Sequence, residues 1–76
     1  MEAERYKLEI RQVGENIRNV RIRKGLSQFS LEALCGIDRG DISRIENGRL
    51  DIQFSTLIKL AEALEITTNE LFYNKN

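Results

Sequence analysis

Polar side chains suited to gripping nucleic acid recur along one face of a short predicted helix, from about Arg39 to Asn47. Two isoleucines three residues apart, Ile42 and Ile45, mark the inward face of this helix. The opposite face carries a polar row with a glycine and a second arginine beside it: Arg39, Ser43 and Asn47, then Gly40 and Arg44. Guanidinium, hydroxyl and amide groups hydrogen-bond base edges and hold phosphates. The pattern is typical of a DNA-reading helix, with an ordinary solvated helix face as the alternative.

The preceding predicted helix, from about Gln28 to Cys35, begins with a second candidate contact. The Gln28 amide and the free backbone N–H groups of a helix N-terminus can hold a phosphate, although a polar residue in a first turn needs no such role. Phe29 is expected at the surface, where it contacts sugar-phosphate, a neighbouring protein or only solvent. Cys35 is expected to be a small buried core residue.

Arg21 and Glu46 carry opposite charges on two different predicted helices. A buried or half-buried ion pair between them would orient the second of these helices more than it would stabilise it. On this interpretation Arg21 has a structural role and does not contact DNA.

Caps and glycines define the two helices that carry these groups. Ser27 is a favoured N-cap for the first of them, and Gly36 supplies the backbone freedom for a turn. Asp38 caps the second helix, which closes on Gly48. Two short helices joined by a tight turn form a helix-turn-helix, whose second helix can enter the major groove of DNA.

Apolar periodicity predicts the helices around this unit. A stripe at spacings of three and four predicts a helix from about Arg11 to Lys24, extending back toward its first member: Tyr6, Ile10, Val13, Ile17 and Val20. A later helix, from about Gln53 to Leu64, has a broad apolar face: Phe54, Leu57, Ile58, Leu60, Ala61 and Leu64. Asp51 helps to start that helix, and Thr67 with Glu70 matches a capping box that opens a last short one. We predict an all-α, compact five-helix domain over residues 13–73, with residues 1–12 continuing the first helix and residues 74–76 as a tail.

The charge distribution is more informative than the charge sum. The 76-residue chain has a formal net charge of zero, which argues mildly against nucleic-acid binding. Bases nevertheless dominate between Arg18 and Arg49, and acids dominate from Asp51 onward. A basic middle can attract phosphate while the acidic end faces solvent or a partner.

The composition offers no support for an enzyme. The chain has no histidine, no cysteine pair, no phosphate-cradling glycine loop and no clustered metal ligands, so we predict no catalytic residue, metal site or cofactor. No apolar run approaches the ~20 residues that span a bilayer, and the acidic N-terminus lacks the apolar segment of a signal peptide. With one cysteine that cannot form an internal disulfide, these features predict a cytoplasmic protein.

Several separated runs occur in a recognisable order and spacing: Val13-Gly14-Glu15-Asn16-Ile17-Arg18, Lys24-Gly25-Leu26-Ser27-Gln28, Gly36-Ile37-Asp38-Arg39, Ile42-Ser43-Arg44-Ile45-Glu46-Asn47-Gly48, and Thr56-Leu57 through Ala61-Glu62-Ala63-Leu64. Together they resemble the Cro/C1-type (lambda-repressor-like, XRE) helix-turn-helix family over about Val13 to Phe72. The Cys-Gly-Ile-Asp-Arg run and the small size are also similar to restriction-modification controller proteins. The resemblance implies a five-helix bundle that binds operator DNA as a symmetric dimer.

The resemblance also assigns roles to individual positions. It implies phosphate contacts at four positions: Gln28, Ser43, Asn47 and Arg49. It implies base-reading positions at Arg39, Gly40 and Arg44. It matches Arg21 and Glu46 to an interhelical ion pair. Two residues depart from the family: Gly40 lacks the usual reading side chain and instead lets the backbone approach the groove, and Glu32 replaces a small alanine between the two helices. The Glu32 carboxylate must therefore reach solvent or a base.

Two functions fit these observations. The first is a sequence-specific DNA-binding transcriptional regulator that acts as a homodimer on a (pseudo)palindromic operator. Leu71, Phe72 and Tyr73 include core residues of the last helix, and they are also the candidate dimer-interface residues. Its partners are double-stranded DNA and a second copy of the chain. The alternative is a protein-interaction module, such as an antitoxin bound to a toxin or a factor that contacts RNA polymerase, with DNA binding secondary. No membrane partner is expected.

Overall fold

Five α-helices and their short connections make up the structure, a computed structural model that describes residues 2–73, with side chains from Glu4 onward. In chain order the helices are α1 (Glu2–Arg23), α2 (Gln28–Cys35), α3 (Arg39–Glu46), α4 (Phe54–Leu64) and α5 (Thr68–Tyr73). The described range contains no strand, so the predicted all-α fold is confirmed. No helix within it is both long and apolar enough to cross a membrane. The predicted tail, residues 74–76, lies outside the described residues.

Helix α1 begins at Glu2, well before the predicted start at Arg11, and continues without interruption to Arg23. The additional turns contain no glycine or proline and are rich in strong helix formers. Arg5 and Glu9 lie one turn apart there and form an exposed ion pair with Nε and Oε2 3.7 Å apart. Helix propensity and this ion pair therefore favour the helical extension without contacts to the core.

The apolar stripe of α1 leaves the core at Tyr6, whose side chain is 52% exposed. The Tyr6 hydroxyl donates to Asp51 Oδ2 at 2.6 Å, and this bond to the carboxylate raises the pKa of Tyr6. The prediction that Asp51 starts α4 is wrong, because Gln53 holds the N-cap position, without a side-chain hydrogen bond. Asp51 instead ties the N-terminal half of α1 to the segment before α4.

One core joins all five helices. Its buried apolar residues are Val13, Ile17, Val20, Leu31, Ile42, Ile45, Leu57, Leu60, Ala61, Leu64 and Leu71. Helix α4 contacts α1, α2 and α5. These neighbours cover only one stripe of it, so two members of the predicted apolar face remain at the surface: Phe54 and Ile58, 68% and 38% exposed. Cys35 is also half-buried, where full burial was predicted, because it ends α2 at the edge of the core.

Gly14 permits a close approach between α1 and α3. A Cβ atom added at Gly14 would overlap the backbone carbonyl oxygen of Ile45, near the end of α3. Because only glycine leaves this space free, the backbone of α3 lies directly against α1. Ile17 and Ile42, from the same two helices, are both fully buried in the core beside this contact.

The predicted caps of the short helices are present. Ser27 Oγ accepts from the Ser30 backbone N–H at 3.0 Å, and Gly36 adopts the left-handed conformation, with φ of 76°, that ends α2. Thr67 and Glu70 form the reciprocal capping box: Glu70 Oε2 accepts from Thr67 N at 3.0 Å, and Thr67 Oγ1 accepts from Glu70 N at 3.2 Å. The Thr67 backbone N–H holds the pKa of the Glu70 carboxyl below its usual value.

Candidate nucleic-acid interface

The outward side of α3 presents the predicted contact positions together. Ile42 is fully buried and Ile45 is 1% exposed, so the core lies on one side of the helix. None of the predicted positions on α3 and just beyond its end is buried. Gly40 and Ser43 are half-buried, and the others are exposed: Arg39, Arg44, Asn47 and Arg49. The structure therefore places two exposed arginines and several short polar groups along a single short helix.

A buried network fixes the far end of this helix. Glu46 accepts from Arg21 through both carboxylate oxygens, from Nε at 2.6 Å and from Nη2 at 3.0 Å. The third arginine nitrogen, Nη1, donates to the Leu26 carbonyl oxygen at 2.8 Å. The two side chains are only 10% and 2% exposed. The pair expected from sequence is thus an interhelical one that joins α1 to α3, and all three side-chain nitrogens of the buried Arg21 are bonded within the protein.

Gln28 is part of the same network, which sequence reasoning did not foresee. Its side-chain Nε2 donates to Glu46 Oε1 at 3.0 Å, and the residue is half-buried. This bond ties the first residue of α2 to the last residue of α3. A phosphate contact from Gln28 therefore uses its backbone N–H or its side-chain oxygen, or requires the amide to leave Glu46.

Arg39 begins α3 with both its backbone and its side chain held by α2. The Arg39 guanidinium carbon lies over the Phe29 ring, 4.5 Å from the ring centroid. The Arg39 backbone N–H donates to Glu32 Oε2 at 3.1 Å. The Glu32 carboxylate, which was expected to reach solvent or a base, makes this bond at the exposed surface and also helps to satisfy the N-terminus of α3. No spacing rule reveals this bond, because its donor is a backbone group on the next helix.

The cap of α3 explains why a glycine occupies position 40. Asp38, the N-cap of α3, accepts from the Gly40 backbone N–H at 2.9 Å through Oδ2. A Cβ atom at Gly40 would lie 2.9 Å from that same oxygen. The glycine therefore leaves room for the capping carboxylate, independently of any close approach to DNA.

The remaining polar positions are engaged within α3 itself. The exposed Arg44 guanidinium forms an ion pair with Asp41, one turn earlier. Asn47 ends the helix as its C-cap, one residue short of the predicted helical end, and its Nδ2 donates to the Ser43 carbonyl oxygen at 2.8 Å. Binding through Arg44 or Asn47 therefore exchanges an internal partner for an external one.

The structure narrows the candidate dimer surface. Leu71 is completely buried in the core, so of the three predicted interface residues only Phe72 and Tyr73, 42% and 71% exposed, offer surface to a partner. The sequence interpretation missed Phe54 and Ile58 as further exposed apolar residues, because apolar periodicity placed both on the apolar face of α4. Their exposure follows from which neighbours cover α4, which periodicity does not reveal.

Residues 14–76 match the protein family described as a helix-turn-helix domain. The structure is similar to that of the restriction-modification controller protein C.AhdI from Aeromonas hydrophila, with a TM-score of 0.83 and 37% identity, over 86% of this chain and 98% of that one. The sequence is 39% identical over 56 residues to a hypothetical transcription factor of Neisseria meningitidis serogroup B, across 74% of this chain and 53% of that protein. The chain thus spans about half of the Neisseria protein. It is also 38% identical over 60 residues to the control protein C.MunI of a Mycoplasma species, across 78% of this chain and 81% of that protein.

Proposed function

The chain belongs to the Cro/C1-type helix-turn-helix family, and from that membership we propose that it is a sequence-specific transcriptional regulator that binds a (pseudo)palindromic operator as a homodimer. The observation that carries the proposal is the division of α3 into two faces. Ile42 and Ile45 are buried on one side, while Arg39 and Arg44 stand exposed on the other. A helix anchored in this way can lie in the major groove with its polar face toward the bases.

The exposed groups divide by chemistry into base-reading and phosphate-holding sets. Arginine forms bidentate hydrogen bonds to guanine O6 and N7, so Arg39 and Arg44 are assigned to base edges. The phosphate contacts are assigned to the flanking polar groups and the arginine beyond the helix: Gln28, Ser43, Asn47 and Arg49. These contacts set the position of α3 in the groove and supply affinity that does not depend on sequence. A zero net charge leaves this local basic surface as the source of attraction to DNA.

The homodimer follows from how little DNA one short helix can cover. Two copies related by a twofold axis would place two recognition helices in successive major grooves, about 34 Å apart. Exposed apolar residues on α4 and α5 support a self-association surface: Phe54, Ile58, Phe72 and Tyr73. Aromatic side chains are enriched at protein interfaces, because they bury a large apolar area.

Selection of bound sites from random double-stranded DNA tests this function. We expect a palindromic consensus whose half-sites are one helical turn apart. For a dimer that neutralises roughly 6–10 phosphates, affinity for the selected site should fall by about 10³–10⁵ between 50 and 200 mM salt. A sequence-blind result would contradict the proposal. No DNA binding even at low salt, with a protein that co-purifies, would favour the interaction module instead.

A further inference from the structure

Phe29 is an exposed aromatic residue beside the candidate DNA surface, and it contributes little to the core. Its side chain is 66% exposed, and its ring lies under the guanidinium of Arg39 with 4.5 Å between the ring centroid and Cζ. We propose that Phe29 is a positioning residue that orders Arg39 for reading a guanine. This inference rests on the DNA-binding function proposed above and adds a residue that the predicted contact set does not contain.

Helix α2 holds Arg39 at two points. Phe29 and Glu32 are three residues apart on α2, so they lie on the same face of the helix. Phe29 stacks against the Arg39 side chain, while Glu32 Oε2 accepts from the Arg39 backbone N–H at 3.1 Å. The two contacts fix both the start of α3 and the direction in which the arginine leaves it.

The stack leaves the hydrogen-bonding edge of Arg39 available. The five N–H donors of a guanidinium lie in its plane, and an aromatic ring occupies only its flat face. Among the described side chains, Glu4 to Tyr73, and the backbone of residues 2–73, no carboxylate or carbonyl oxygen accepts from the Arg39 guanidinium. Arg44 differs, because its guanidinium is already paired with Asp41. Arg39 therefore has a supported side chain with a free donor edge, the form that bidentate bonding to guanine requires.

Support in the free protein matters because a long side chain loses rotamer freedom when it binds. An arginine that is already ordered loses less of this entropy on contact with DNA. A cation–π contact is weak in water and strengthens when water is excluded, as it is in an occupied groove. Because the free protein already makes the contact, only its strengthening on desolvation adds to affinity, which corresponds to roughly five- to tenfold.

The test compares the binding preferences of four single variants and one control variant on the site that the wild-type protein selects. Arg39→Ala first identifies the guanine that Arg39 reads, as the base pair at which preference is relaxed. Phe29→Ala and Phe29→Leu remove the aromatic face, and Phe29→Tyr retains it. Phe29→Ala and Phe29→Leu should reduce the preference for that guanine by roughly five- to tenfold, and Phe29→Tyr should keep it. Leu34→Ala is the matched control, because Leu34 is similarly exposed, at 59%, on the same helix and is assigned to neither DNA nor the dimer surface.

A double variant and a measurement without DNA separate positioning from a general loss of binding. In the Arg39→Ala background, Phe29→Ala should have little further effect. In the free protein, the Arg39 side-chain protons should show an upfield NMR shift from the Phe29 ring that persists in Phe29→Tyr and disappears in Phe29→Leu. Equal weakening for every DNA sequence, or the same loss with and without Arg39, would overturn the inference while leaving the DNA-binding function intact. A wild-type protein that selects no site would overturn both.

Discussion

Replacing Glu46 with glutamine should lower the free energy of unfolding by about 3–5 kcal/mol, because it leaves the buried Arg21 guanidinium without its counter-charge. The Arg21 and Glu46 side chains are 10% and 2% exposed, so water cannot readily replace the carboxylate. Arg21 keeps its hydrogen bond to the Leu26 carbonyl oxygen at 2.8 Å. Glutamine also keeps one acceptor oxygen, and both facts place the expected loss toward the lower end of the range.

This loss is large for a small domain. At a typical stability of about 0.05–0.15 kcal/mol per residue, a chain of 76 residues unfolds with roughly 4–11 kcal/mol. Urea unfolding at low temperature, followed by circular dichroism, measures the difference between wild type and Glu46→Gln. The matched control is Asp41→Asn, which breaks an ion pair whose side chains are 43% and 55% exposed. We expect the control to change stability by about 1 kcal/mol or less.

A double variant tests the physical reason. Arg21→Met combined with Glu46→Leu removes both charges and fills the site with apolar groups, so most of the stability lost in Glu46→Gln should return. Equal losses in Glu46→Gln and Asp41→Asn would refute the argument from burial. A double variant as unstable as the single one would show that the loss comes from packing and not from an unpaired charge.

Other parts of the molecule give further predictions. Gly14→Ala should destabilise the domain by about 1–3 kcal/mol, because its methyl group overlaps the Ile45 carbonyl oxygen; an unchanged urea midpoint would contradict the close approach. Arg44→Ala should cost about 1–3 kcal/mol of binding to the selected site and relax preference at one base pair, as measured by titration of single-base variants of that site. Tyr73→Ala should shift the sedimentation equilibrium from dimer toward monomer. At a concentration where the wild-type protein is also monomeric, the variant should unfold at the same urea concentration, since Tyr73 is 71% exposed. The pKa of Glu70 is lower in the folded than in the unfolded protein. The Glu70 carboxylate therefore stabilises the fold at pH values above its unfolded pKa, and this contribution is lost as the pH falls through the folded pKa. The difference in unfolding free energy between wild type and Glu70→Gln should shrink in acid.

The helices of the candidate site were the most predictable part of the fold, because local signals define them. Ser27 and Asp38 cap their own helices, and α2 begins and ends where the sequence predicted. Ile42 and Ile45 also face the core as helical spacing requires. Caps and periodicity act over a few residues, so these features follow from the chain without knowledge of its neighbours.

The errors and omissions arose where a residue depends on a distant partner. Asp51 accepts from Tyr6 and does not cap α4, and Glu32 reaches a backbone N–H on the next helix. Phe54 carries an apolar side chain at a helical spacing but has no neighbour to cover it. The stack of Arg39 on Phe29 likewise joins two helices through side chains that the turn between them brings together. Such contacts depend on how helices cross, which periodicity does not determine.

The seam between α1 and α3 has a mechanical consequence. Glycine at position 14 sets the two backbones against each other, and the Arg21–Glu46 pair clamps the same helices a second time. Two contacts along the same interface hold α3 in a fixed orientation on α1. In the proposed dimer, adjustment to a lengthened or bent operator then comes from the interface between the subunits, and each domain moves as a rigid body.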